Sequence, residues 1–332
     1  MSKRRRRALF PGLLFGLLVG ALIIAALRPH WVLEAEFSRQ RWLAGASVVE
    51  REIDGQRWTY LEAGEGPLLI LVHGFTGAKE NWLPVMGRLS SRFRVIAPDL
   101  PGWGQSARAD NEDLGFSGQA KQLDKLVLAL ADEQPVYLAG HSMGGGIAAV
   151  WAGTAPSRLD RLILLDAAGI PFENDFARRV RAGEHPFEVR DEVQLRNQLN
   201  MVFKTPPWIP WPASKALAEQ RSAQVDFERE VLAAIAGDEQ RAFAPSEAAR
   251  SIQVPTLLLW CRDDQIIDAS SAQAYADRIA QSAVVMLDEC NHMPMMEQPE
   301  ETAQVMLEFL SVPVVAVRRV TESDETQATS GD

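Results

Sequence analysis

The chain has 332 residues, 47% of them hydrophobic, enough to bury a large core and too many for a disordered protein; one big α/β domain with an insertion, or two small domains, fits this length. The formal net charge is −10, but residues 1–28 carry only bases (Lys3, Arg4, Arg5, Arg6, Arg7 and Arg28), so the remainder holds 28 basic against 44 acidic side chains, a balance of −16. An acidic globular part argues against nucleic acid as a partner.

The basic residues 1–7 lead into residues 8–27, twenty positions without a charge. As a helix this stretch spans about 30 Å, the thickness of a bilayer core, and it reads as a transmembrane signal anchor. A cleaved secretory signal is the competing reading, with an apolar region of only about 7 to 15 residues and a small-residue site just beyond. No such site follows here, and Ala44-Gly45-Ala46 lies too far downstream. With the bases before the span, the positive-inside rule puts the N-terminus in the cytoplasm and the large domain on the extracytoplasmic, periplasmic side. Gly12, Gly16 and Gly20 share one helix face. They either let two such helices approach as a homodimer or reflect the general frequency of small residues in membrane helices.

Residues 28–45 read as a mixed amphipathic linker. Residues 47–53 and 57–61 read as an antiparallel strand pair around Asp54-Gly55. Leu68-Leu69-Ile70-Leu71-Val72 is a continuous apolar run, as a strand buried on both faces requires, and it ends at His73-Gly74-Phe75. Residues 82–89 have helical spacing, residues 94–97 form another short strand, and the Pro/Gly-rich 98–104 forbids regular structure. Ser117 is a candidate N-cap for a helix through residue 130. Strands are expected at 135–139, 161–165, 256–260 and 283–287, with helices at 271–280 and 300–310.

Residues 171–250 lack this rhythm. They are charged, helical near 191–203 and 213–236, and broken by Pro206-Pro207-Trp208-Ile209-Pro210-Trp211-Pro212, so they read as a helical cap inserted between core segments 46–170 and 251–311. Residues 312–332 form a tail whose last twelve have almost no apolar side chains and are expected to be disordered.

Alternating buried strands and helices predict a mostly parallel, doubly wound sheet whose ligands bind beyond the strands' carboxyl ends. The most informative stretch is Gly140-His141-Ser142-Met143-Gly144, which follows an apolar strand and opens a helix. Small residues around the serine permit a sharp turn that holds its hydroxyl outward. A serine hydroxyl is a weak nucleophile near neutral pH and needs a histidine base oriented by an acid. Of five histidines, His30 adjoins the membrane span, His185 lies in the cap, His141 sits in the turn itself and His73 reads as structural. His292 follows the strand after the cap and gives the order serine, acid, histidine. Asp264 is the preferred acid, with Asp263 a competing carboxylate and Asp268 a third choice. The N–H of Met143, after the nucleophile, and that of Phe75 are the candidate oxyanion donors.

Taken together, His73-Gly74-Phe75, Asp99-Leu100-Pro101-Gly102-Trp103-Gly104-Gln105-Ser106, the Ser142 turn, residues 260–264 and the His292 turn resemble the α/β-hydrolase superfamily over about residues 45–311. The N-terminal span, Gly-His-Ser-Met-Gly-Gly and the loop 204–210 resemble membrane-anchored monoacylglycerol lipases and bacterial family V lipases. Cys261 departs from the glycine usual before the acid loop. The strand order implied by the resemblance puts Cys261 and Cys290 at neighbouring strand ends, either as a disulfide or as two buried thiols.

What the resemblance implies is a serine carboxylic-ester hydrolase, a lipase acting on membrane-derived lipid esters with neither cofactor nor metal. Trp208 and Trp211 are candidate substrate contacts, or else pack the cap on the core. The rivals are a C–C bond or non-lipid ester hydrolase of the same fold, and a non-catalytic membrane-tethered binding protein.

Overall fold

The computed structural model describes residues 20, 23, 25–108, 113–131, 135–154 and 158–311. Most of the expected transmembrane segment, including Gly12 and Gly16, and the expected disordered tail lie outside them. Among the described residues no helix is long and apolar enough to cross a membrane.

In chain order the elements are α1 (Pro29–Ala44), β1 (Ser47–Ile53), β2 (Gln56–Ala63), β3 (Leu68–Val72), a 3-10 turn (Lys79–Trp82), α2 (Leu83–Leu89), β4 (Arg94–Pro98), α3 (Phe116–Leu130), β5 (Val136–His141), α4 (Met143–Thr154) and β6 (Leu159–Leu165). Five helices follow, α5 (Asp175–Arg181), α6 (Glu192–Val202), α7 (Ala213–Ala236), α8 (Glu239–Ala242) and α9 (Ala244–Ala249). The chain then returns as β7 (Thr256–Cys261), α10 (Ser270–Ala276), β8 (Ser282–Leu287), α11 (Pro294–Glu297) and α12 (Pro299–Ser311).

The eight strands form one sheet in the order β1-β2-β4-β3-β5-β6-β7-β8. The pair β1 and β2 is antiparallel, β2 joins β4 antiparallel, and every pairing from β4 to β8 is parallel. Strands β3 and β7 are buried throughout, which is why they read as unbroken apolar runs. One core cluster gathers Trp58, Leu123, Leu138, Trp151 and Trp260 on one face of the sheet, and another gathers Leu69, Trp82, Met86, Ala139 and Met306 on the other.

Several expectations shift. Residues 28–45, read as an amphipathic linker, carry a helix: α1 opens with Pro29 at its first position and closes on Gly45 in the left-handed conformation, donating to Arg41 and Trp42 carbonyls. Its apolar positions are sparse, so periodicity conceals it, and its side support is local, as where Glu36 accepts from Arg39 and Gln40. Ser117 is not an N-cap: α3 begins two residues earlier than that cap implies, with Gly115 as cap, because buried Phe116 anchors the first turn in the core. The helix expected over 271–280 stops at Ala276, its last turn giving way before buried Ile279.

Cys261, the last residue of β7, and Cys290, just beyond β8, form a disulfide with Cα atoms 5.4 Å apart. It closes a loop between residues 29 positions apart and ties together the two segments that follow these strands. Loop-closure entropy assigns a cross-link of that span roughly 3.6 kcal/mol. Replacing both cysteines with alanine is therefore expected to lower unfolding stability in urea by about that amount; a loss below about 1 kcal/mol would show that the bridge does not constrain the unfolded chain.

Candidate active site

Because β3 to β8 run parallel, the loops after them emerge at one edge of the sheet, where His73, Asp99, Ser142, Asp166, Asp264 and His292 all stand. The turn between β5 and α4 is the tightest of these. Ser142 has a φ of +53°, a left-handed conformation that strains a residue with a side chain. What over-determines it is close packing: a Cβ on Gly144 would lie 2.3 Å from the Val72 carbonyl oxygen and 2.4 Å from that of His73. Only glycine lets α4 start so close to β3, and the helix fixed there holds the serine at its N-terminal entrance.

The Ser142 Oγ lies 3.0 Å from His292 Nε2, and His292 Nδ1 lies 2.8 Å from Asp264 Oδ2. All three side chains are buried. The other Asp264 oxygen accepts from the backbone N–H groups of Ile266 and Ile267. Asp263, the competing carboxylate, instead pairs with Lys204 at 3.0 Å on the surface, and Asp268 accepts from the Ser270 amide. Burial lowers the His292 imidazole from 6.5 to about 3, which favours the neutral ring that can take a proton.

The His292 loop is held from three sides. Glu297 accepts from the Asn291 amide at 2.9 Å and, through its other oxygen, from the Lys204 amide at 2.7 Å. Asn291 accepts from the Gln265 amide in the acid loop and donates to the Met201 carbonyl, while the His292 amide donates to the Val202 carbonyl. His141 donates through Nε2 to the His292 carbonyl at 2.7 Å. This histidine supports the His292 loop rather than meeting Ser142.

Met143 is the first residue of α4, so its N–H is among those a helix leaves without an intrahelical acceptor. The loop carrying Phe75 runs beside the serine: a Cβ on Gly74 would lie 3.0 Å from Ser142 Cβ. His73 fixes that loop as a neutral ring, accepting the Leu100 amide at Nε2 and donating from Nδ1 to the Gly74 carbonyl, with burial holding its pKa below the usual value. Next to Phe75, Thr76 has a φ of +60° and accepts from Gln198 of α6 at 3.2 Å. Gln198 in turn accepts from Arg221 of α7 at 2.6 Å, and Arg221 pairs with Glu228 at 2.8 Å. A buried polar chain thus links α7 to the loop beside Ser142.

Sequence reasoning missed that chain, and it missed Asp166. This buried residue after β6 has a φ of +42° and accepts from the Cys261 amide at 2.9 Å, against Asp264. Burial, then the Asp264 charge, pushes its carboxyl well up, and burial raises Asp264 as well. Asp264 accepts three hydrogen bonds that favour its anion, whereas Asp166 accepts one from Cys261, so a proton shared by the pair sits on Asp166. An aspartate directly after the apolar run Leu162–Leu165 was the available signal. His185, set aside as a cap residue, comes within 5.8 Å of the Phe75 ring. Trp208 and Trp211 are 86% and 59% exposed and do not border the cavities beside the site.

Two such cavities open between α5, α6 and the sheet edge. One, of about 310 Å³, is bordered by Phe176, Met201, Asp264 and Gln265; the other, of about 500 Å³, lies farther out between Pro186 and Met201. Among the described residues no cluster of three His, Cys, Asp or Glu side chains is arranged to hold a metal ion.

Residues 67–299 match the family model of the alpha/beta hydrolase fold. The chain is 30% identical to monoacylglycerol lipase ABHD6 of Homo sapiens, over 75% of this chain and 76% of that one, and 28% identical to Lipase 1 of Psychrobacter immobilis, over 78% and 82%. Its structure superposes on that of a bacterial membrane phospholipase A, described as a virulence factor, with a TM-score of 0.81 and 32% identity, covering 92% of this chain and 98% of that one. A family match running from β3 to the start of α12 takes in every strand whose carboxyl end carries a site residue, and the chain belongs to the alpha/beta hydrolase fold family.

Proposed function

We propose that this protein is a serine carboxylic-ester hydrolase acting on lipid esters, as a lipase or monoacylglycerol lipase. The observation that carries the reading is the unbroken relay from Ser142 Oγ to His292 Nε2 and from His292 Nδ1 to Asp264, at 3.0 and 2.8 Å.

In this mechanism Ser142 Oγ attacks the ester carbonyl carbon while His292 Nε2 takes its proton. The carbonyl oxygen becomes an oxyanion met by the Phe75 and Met143 amides, each such donor contributing roughly 3 to 4 kcal/mol in the transition state. His292 then protonates the departing alcohol oxygen as the C–O bond breaks, leaving an acyl-serine. Water, deprotonated by the same nitrogen, attacks that carbonyl, and the released Ser142 oxygen recovers the proton. Asp264 stabilises the transient imidazolium without itself taking the proton.

Residues 8–27 are read as an uncleaved anchor that leaves the hydrolase domain on the extracytoplasmic side. The Cys261–Cys290 bridge supports that side, since disulfides persist in oxidising compartments. The lipid class of substrate follows from this setting, from the similarity to named lipases, and from the apolar Phe176 and Met201 beside the triad.

Purified protein assayed against mono-, di- and triacylglycerols of varied chain length is expected to favour medium or long acyl chains, and Ser142→Ala is expected to lose at least about a thousandfold in kcat. No chain-length preference would sink the lipase reading while leaving an ester or C–C bond hydrolase. Loss of less than about tenfold in Ser142→Ala would sink nucleophilic catalysis. The lowered His292 value keeps its neutral, base-competent form present as pH falls, so activity is lost only when pH drops through that value. The acid limb of kcat/KM is accordingly expected below the 6.5 of an ordinary imidazole; a limb at or above 6.5 would contradict the burial argument.

A further inference from the structure

Helix α1 begins at Pro29, two residues after the uncharged stretch 8–27 ends, and it is seated on the helices inserted between β6 and β7. Val32, Leu33 and Phe37 pack with Ile209, Ala213, Ala216 and Leu217 in an apolar cluster of their own, distinct from both main cores. His30 pairs with Glu219 of α7 at 3.2 Å, one residue into the helix. From Pro29 to Leu33 is about 6 Å of helix rise. Whatever membrane holds residues 8–27 is therefore held within a turn or two of helix from the Pro/Trp loop.

On that loop the apolar side chains point both ways. Ile209 turns inward to α1, while Trp208 and Trp211 on either side of it stand 86% and 59% exposed. On the α1 side Leu27 and Trp31 are 73% and 64% exposed, and Arg28 lies over the Trp31 ring at 5.6 Å. Large apolar side chains clustered in water have a cost that invites a covering partner. Tryptophan beside arginine suits a bilayer's headgroup layer, where an apolar ring meets acyl chains and polar groups stay wet.

We infer that Leu27, Trp31, Trp208 and Trp211 form one membrane-docking surface, occupied by the headgroup and upper acyl layer of the bilayer that anchors the N-terminus. The inference rests on the anchor reading of residues 8–27 and deepens it: α7 and the Pro/Trp loop lie on the membrane in a fixed orientation instead of swinging on a tether. The same loop continues from α6, whose terminal Val202 carbonyl accepts the His292 amide. A lipid leaving the bilayer thus enters beside the segment that already touches the triad.

The test uses the full chain in phosphatidylethanolamine/phosphatidylglycerol vesicles. Both native cysteines are bridged, so a single thiol introduced by Trp208→Cys, Trp211→Cys or Leu128→Cys takes a nitroxide label alone. Leu128 is the reference, 51% exposed on α3, a helix that packs on the other face of the sheet from Ala44 of α1. Labels at 208 and 211 are expected to collide more with lipid-soluble oxygen than with a water-soluble nickel chelate, and the label at 128 the reverse. If the protein floats with the vesicles but 208 and 211 behave like 128, the docking surface is overturned and the anchor stands. Dipolar broadening between labels at 208 or 211 would assign the patch to a second copy and overturn bilayer occupancy. Protein that does not float overturns the anchor reading and the docking with it.

Discussion

The site depends on one close approach, that of the first turn of α4 to the end of β3, where Gly144 sits against the Val72 and His73 carbonyls. Helix and sheet meet there at a distance that admits no Cβ, and the chain between them must turn through a left-handed Ser142. Two consequences follow. The backbone fixes the direction in which Ser142 projects its hydroxyl toward His292, and the helix N-terminus directs its free amides to the space in front of it. The loops after β3, β7 and β8 then need only reach one point, since parallel pairing already delivers them to that edge.

They reach it through polar contacts placed where apolar packing cannot serve. Glu297 and Asn291 tie the His292 loop to the acid loop and to the end of α6. On the other flank, Lys79 is buried with its ammonium 2.8 Å from Asp99, and Asp99 also accepts from the Lys79 and Gln105 amides, which closes the loop after β4. Burial draws the Lys79 pKa down, but the Asp99 and Glu80 charges outweigh it and leave it raised, so the group stays charged. Such buried networks hold geometry firmly because losing one partner strands another without solvent. The Glu228–Arg221–Gln198–Thr76 chain extends the same principle from α7 to the loop of Phe75.

The legible parts of the sequence were those dictated by local pattern. Strands buried on both faces, such as β3 and β7, announced themselves as apolar runs, and α7 matched its expected bounds of 213–236 because its spacing and its preceding prolines define it. Order after successive strands points to Ser142 and His292 and to the acid loop after β7, where Asp264 is preferred to its neighbour Asp263; the side chains of Ser142, His292 and Asp264 meet. Features that depend on contacts between distant segments stayed hidden. Helix α1 has a weak apolar face because only Leu33 and Ala44 are buried, so it read as a linker. Asp166 and Gln198 carry no local motif, and their roles come only from partners far away in the chain, Cys261 for Asp166 and Thr76 and Arg221 for Gln198. The two cysteines were suggestive only through an assumed strand order, and their bridge lies between β7 and β8, as that order required.

The central claim is that Ser142 is a nucleophile made reactive by His292. A fluorophosphonate tests it directly, since it reacts covalently with an activated serine and not with an ordinary hydroxyl. Mass spectrometry of the digested full chain should find one phosphonylated site, Ser142, in wild type and none in His292→Ala, whose disulfide and fold are checked in parallel. Modification elsewhere, or equal labelling of Ser142 in both proteins, would contradict the account.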